Sequence, residues 1–201
     1  MLRSTRTSRG ALVIALCAMI GIGIGIGIGI CGCGMEEASV ISATRTIGEQ
    51  TLQEQWEWAA TQVEQVIART ETPGRWKGES DAEPSWERER QRILGEAERS
   101  SCTFRAGQVN PAQLLVGVWA DDIDGDVFAL AGRVRERWQT EGWSVSDVIR
   151  REDTIAGNEI QFRADSDRGA MLSLKAVSSD ERGMLFLTVQ AECSRHPSVA
   201  W

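Results

Sequence analysis

From Trp143 to Cys193, apolar residues return at every second position in four successive runs, and this leaves few folds open. Trp143–Arg151 forms the first run. Glu159–Ala164 sets Ile160, Phe162 and Ala164 on one face, and Ala170–Ser178 aligns Leu172, Leu174 and Ala176. Met184–Cys193 aligns Leu185, Leu187, Val189 and Ala191. A period of two marks strands with one buried face, and short glycine-containing links such as Ser166–Gly169 and Ser179–Gly183 make neighbours antiparallel. A sheet that is apolar on one face needs a second layer over it.

The rest of the chain supplies that layer. In Gln50–Thr70, Leu52, Trp56, Ala59, Val63, Val66 and Ile67 recur at helical spacing, and Pro73-Gly74 closes the run. Ser85–Arg99 reads as a second, heavily charged helix that Ser85 can cap, with Trp86, Ile93, Leu94 and Ala97 as its apolar contacts. Leu114–Ala120 is a buried strand. Val127–Glu141 is a third helix with Val127, Leu130, Ala131, Val134 and Trp138 inward, and Gly142 is placed to end it. Cys102–Val109 carries no pattern. The expected fold is a two-layer α+β domain. An antiparallel meander of four to five strands packs on two to three amphipathic helices, and an N-terminal signal or anchor helix precedes it.

That N-terminal segment carries Arg3, Arg6 and Arg9, then no charge from Ala11 to Ile30. A basic start followed by an apolar stretch is an export signal. Twenty residues as a helix would also span about 30 Å, enough for a permanent anchor. The strict Gly-Ile alternation of Gly21–Ile30 is not the G-x-G-x-x-G of a dinucleotide loop. Ile30-Cys31-Gly32-Cys33 resembles a bacterial lipoprotein box, with an aliphatic residue three before the lipidated cysteine and a small one immediately before it. Cys31 as the modified residue would put bulky Ile30 at the scissile bond. Cysteine parity favours Cys33 as well. Cleavage before it removes Cys17 and Cys31 and leaves Cys102 and Cys193 as an even pair. In an exported protein that pair is expected as a disulfide, the alternative being two unrelated buried thiols.

The order of these features resembles the mycobacterial LppA-like lipoproteins. The shared elements are an export signal with a lipidated cysteine and an amphipathic helix ending near Pro73–Lys77 (PGRWK). There follow Cys102, the strand LLVGVWA, a second amphipathic helix and a meander closing on Cys193. The resemblance implies a cell-envelope location and no defined activity. The expected organisation is a signal peptide over 1–32 and a lipidated cysteine with a flexible tether over 33–49. An extracytoplasmic domain over 50–196 and a tail over 197–201 complete it. The tether residues Gly34–Glu49 would reach roughly 20–24 Å. Loss of the three leading arginines takes the net charge from −7 to −10, so the body would stand off an anionic membrane. The same charge argues against nucleic-acid binding.

Candidate chemistry is sparse. Asp122, Asp124 and Asp126 imitate the first ligands of a calcium loop. Val127 stands where that loop has glycine and Arg133 where it has glutamate, so an acidic helix start is the plainer reading. His196 is the single histidine, with neither a second histidine for a metal site nor a G-x-S-x-G nucleophile. Of the eight tryptophans, Trp56, Trp138 and Trp143 fall on core faces, whereas Trp58, Trp76, Trp86 and Trp201 could furnish a binding surface. The expectation is a lipid-anchored envelope lipoprotein on the outer face of the cell membrane, with a small binding domain. It has no catalytic residue, metal or cofactor, and its protein or small-molecule partner is not identified by the sequence. The alternatives are an envelope hydrolase using paired carboxylates and a single-pass protein with an uncleaved anchor.

Overall fold

The structure, a computed structural model, describes residues 48–103, 108–154, 157–179 and 182–200. The chain divides into two units, Met1–Ile41 and Ser42–Trp201. The expected export segment, Cys31, Cys33 and the expected tether up to residue 47 lie outside the described residues, as does Trp201. Among the described residues no helix is long and apolar enough to cross a membrane.

The elements run α1 (Leu52–Thr70), β1 (Trp76–Gly78), α2 (Trp86–Glu96), β2 (Glu98–Ser101), β3 (Ala112–Asp124), α3 (Val127–Thr140) and β4 (Ser144–Ile149). A short 3₁₀ turn (Arg151–Asp153), β5 (Glu159–Asp165), β6 (Met171–Ser179) and β7 (Arg182–Gln190) complete them. Every strand pairing is antiparallel, in the order β1-β3-β7-β6-β5-β4, and β2 shares the β1 side of β3. The α+β architecture is as expected, and β4 to β7 form the meander. Three further strands extend it to seven among the described residues. β3 pairs with β7 rather than with β4, so α3 carries the chain back across the sheet to the far edge. β1 and β2 are short edge strands with no alternation to announce them.

Each helix boundary has a local cause. Thr51 and Glu54 form a reciprocal capping box at the start of α1, and Glu71, at φ 55°, ends it before Pro73. The hydrogen bonds from Thr51 hold the Glu54 carboxyl below its ordinary value. α2 is shorter than expected. It stops at Glu96, just beyond Gly95, and Ala97 turns extended, so Glu98–Ser101 pairs with β3 instead of continuing the helix. Ser85 precedes α2 but does not cap it by its side chain. Its hydroxyl donates to Asp81, a bond that is the chief reason the Asp81 carboxyl lies below its usual value. At the end of α3, Gly142 (φ 88°) lets the Gly142 and Trp143 amides donate to the Gln139 and Trp138 carbonyls.

The core lies between one sheet face and α1 plus α3. Leu114, Val116 and Val118 of β3, Leu185 and Leu187 of β7, and Leu172 and Leu174 of β6 meet Ala59, Val63, Val66, Ala131, Val134 and Trp138. The Trp138 ring packs edge-on against Phe162, centroids 5.5 Å apart. Within this apolar layer Gln55 is fully buried. Its Nε2 donates to the Glu192 carbonyl at 2.8 Å and its Oε1 accepts from the Leu114 amide at 3.0 Å, splicing α1 onto the sheet's end. Gln55→Leu keeps the bulk but strips both partners. We expect a loss of about 2–4 kcal/mol in urea unfolding, since each orphaned buried backbone group costs roughly 1–3 kcal/mol.

Residues 197–200 do not hang free. Val199 is fully buried, and the Ser198 hydroxyl accepts from the Leu52 amide at 2.9 Å, so the expected tail is docked against the start of α1.

Candidate functional site

Cys102 and Cys193 form the expected disulfide, their Cα atoms 6.1 Å apart. The bond sits at one pole of the sheet. There Ser194 pairs with Ala112 on one side and, in parallel, with Gly48 on the other. Gly48 donates to the Cys193 carbonyl at 2.8 Å and accepts from Arg195 at 3.0 Å. The chain therefore enters the domain against the very strand segment that carries the staple.

The acidic run Asp121–Asp126 is not a loop but mostly strand. β3 continues through Asp124, with an irregularity in register between Ala120 and Ile123 where Asp122 takes φ 56°. Asp122 binds Arg75 at 3.1 Å and also Arg182, whereas Asp126 caps α3 through the Phe128 and Ala129 amides. Asp122 and Asp126 serve different partners, Asp124 is an exposed strand residue, and only Asp126 fits the reading of an acidic helix start. His196 likewise has a local job: its Nδ1 lies 2.9 Å from the Ser198 hydroxyl and accepts from the Ser198 amide, closing the last turn.

The tryptophans redistribute. Trp76 and Trp86, read as possible surface residues, are both buried. Trp76 sits in β1 with its Nε1 donating to Thr72 at 2.8 Å. Trp56, Trp58 and Trp143 are partly buried against the core. Trp119 occupies the sheet face that the helices leave uncovered. It stands in a cross-strand row with Lys77 on its β1 flank and Phe186 on its β7 flank, and Lys175 follows on β6. The Lys77 ammonium lies 4.0 Å from the indole centroid, and the Phe186 ring is parallel to the indole at 5.9 Å. The two lysines of the chain thus bracket one aromatic stack. With neighbours on both flanks, Trp119 offers no open ring face to a sugar.

Concavity appears instead between α1 and α2. Two hollows of about 780 and 490 Å³ lie on either side of a Glu64–Arg90 ion pair that bridges the helices. The larger is lined by Ile67, Ala68 and Trp86, and the smaller by Trp56, Ala60 and Leu94, with polar groups around both. The Trp56 Nε1 is buried and has no hydrogen-bond acceptor among the described residues. This orphan donor is shut off from the hollow as it is from solvent, and sequence reasoning missed it; no sequence pattern reports an unmet hydrogen bond.

No family model matches the chain, and no curated protein matches it. Among solved structures, the chain is similar to a DUF4853 family protein from Actinomyces odontolyticus. The two are 13% identical, the alignment covers 77% of this chain and 72% of that one, and the TM-score is 0.46.

The carboxylates around the α1–α2 groove are already engaged. Glu57 accepts from Gln53 at 2.8 Å, Glu64 is paired with Arg90, Glu87 accepts the Gly74 amide at 2.7 Å, and Glu89 holds Arg92 at 2.5 Å. The groove offers a few apolar side chains, Ile67, Trp86 and Leu94 among them, polar groups around them and a salt bridge across its middle.

Proposed function

We propose that this protein is an exported lipoprotein, fixed through Cys33 to the outer face of the cell membrane and presenting its α+β domain as a binding module. The placement among LppA-like lipoproteins belongs to the same proposal. The observation that carries it is the Cys102–Cys193 bond. Stable disulfides belong to oxidising compartments. Pairing these two leaves Cys33 as the one cysteine of the cleaved chain without a partner, at the position the lipoprotein box selects. Two or more acyl chains on that residue would hold the protein stably, where one would not. The α1–α2 groove, with apolar side chains in its lining and its carboxylates already paired, supports binding over catalysis.

Intact mass of the protein extracted from membranes, with and without reductant, tests the proposal. The expected result is a chain beginning at Cys33 and carrying acyl mass, which gains two hydrogens on reduction. A chain that retains Met1, or a Cys33 without lipid, overturns the anchor.

A further inference from the structure

A second cleft, of about 410 Å³, lies on the helix-covered side of the sheet, where α3 meets the edge strand β4. Its floor is Ile149, Ile160 and Phe162. Arg135, Arg150 and Arg151 converge on it, a concentration of cations that stands out in a chain of net charge −7. Two acids accompany them, Asp147 and Glu152. Asp147 acts as a bracket, one oxygen 2.7 Å from Arg135 and the other 3.6 Å from Arg150. Arg151 is fixed from the other end: its Nε donates to the Gly157 carbonyl at 2.8 Å and its guanidinium lies 4.8 Å from the Phe128 ring centroid. Each guanidinium carries five N–H donors, so these contacts position the three groups and leave donors over.

Between the Arg135 and Arg151 ends of the cleft stands Gly132, in the interior of α3 and one turn from both Phe128 and Arg135. Glycine is the poorest helix former after proline, and here packing does not demand it. A Cβ at 132 would meet nothing within 4 Å. The helix gives up stability to keep that volume open, and an approach of a ligand to bare backbone is a reason to do so.

We propose that this cleft binds a small organic anion. A carboxylate or phosphate would be held by Arg135, Arg150 and Arg151, and its apolar body would lie over Gly132 against Ile149, Ile160 and Phe162. The proposal rests on the reading of the domain as a binding module, at a cleft separate from the α1–α2 groove, and not on the anchor. A failed anchor would show in the mass of the chain, whereas a failed ligand class shows only in the titration.

Thermal melts of the purified full chain test it, with benzoate as the probe, benzyl alcohol as the same ring without the charge, and sodium chloride at equal ionic strength. Benzoate is expected to raise the melting temperature in a saturable way that neither control reproduces. Gly132→Ala is expected to raise the ligand-free melting temperature by about 3 °C, as a helix-favouring change into empty space. It should also weaken benzoate at least about tenfold, because the added methyl occupies the ligand's volume. Gly95→Ala, another site where a Cβ meets nothing, should leave benzoate affinity unchanged. Arg135→Gln should abolish the benzoate shift. A benzoate response no larger than that of the salt control overturns the proposal. So does a Gly132→Ala protein that is stabilised yet binds benzoate as the parent does. Because Gly132→Ala strengthens the fold, the test holds even if Arg135→Gln unfolds.

Discussion

Replacing Cys102 and Cys193 together with serine lowers the free energy of unfolding by about 4 kcal/mol. The bond closes a segment of 91 residues, and constraining a loop of that length in the unfolded chain contributes about 4–5 kcal/mol in the entropy model. The serines recover a little. The Gln113 side-chain oxygen lies 3.2 and 3.5 Å from the two sulfurs, within reach of new hydroxyl donors. Urea unfolding followed by tryptophan fluorescence measures the difference. The m-value should rise in the double variant, because its denatured state is no longer pinned and exposes more surface. A loss below about 1 kcal/mol would mean that the staple records the compartment and does not hold the fold.

The second large effect is asymmetric. Lys77 is almost fully buried, whereas the Asp121 side chain that binds it at 2.9 Å is 36% exposed. Asp121→Asn leaves a buried ammonium with the Ala82 carbonyl and the Trp119 ring as its remaining partners. A buried charge without its counter-ion is the costly case, and we expect a loss of about 2–4 kcal/mol. Lys77→Met removes the buried charge itself, keeps most of the apolar stem against Trp119 and returns Asp121 to water. Its expected cost is about 1 kcal/mol. Urea midpoints of the two variants should therefore separate clearly, with the asparagine variant the weaker. Equal losses would mean that the ion pair, rather than the burial of Lys77, sets the energy.

The meander and the two core-facing helices were legible because their apolar residues repeat at the period of the structure that buries them. Phe162 and Ala164 on β5, or Val63 and Val66 on α1, sit where periodicity puts them. β1 and β2 were not legible for a physical reason. Trp76-Lys77-Gly78 is buried on every residue, so it shows no alternation. Glu98–Ser101 has no buried residue, so no apolar residue marks it. Gln55 and Lys77 were missed because a buried polar side chain looks, in sequence, like an exposed one. The disulfide was readable from cysteine parity taken together with the expected export. The clefts were not. The Trp56 donor, the open volume at Gly132 and the convergence of Arg135 with Arg150 and Arg151 depend on how separate elements pack, even where, as with α3 and β4, they follow one another in the chain.

Gly48 also determines how the domain would carry load. Its two hydrogen bonds, to Cys193 and from Arg195, are the first fixed points along the described chain. A pull on the residues before it is therefore delivered first to the segment that Cys193 welds covalently to Cys102. Such a pull falls first on those two hydrogen bonds and on the covalent path into α1, while the sulfur–sulfur bond keeps the segment that receives it tied to Cys102. In reducing conditions that segment would be held to β3 by hydrogen bonds alone, those to Ala112 and Leu114 among them, and the pole would open under a smaller pull.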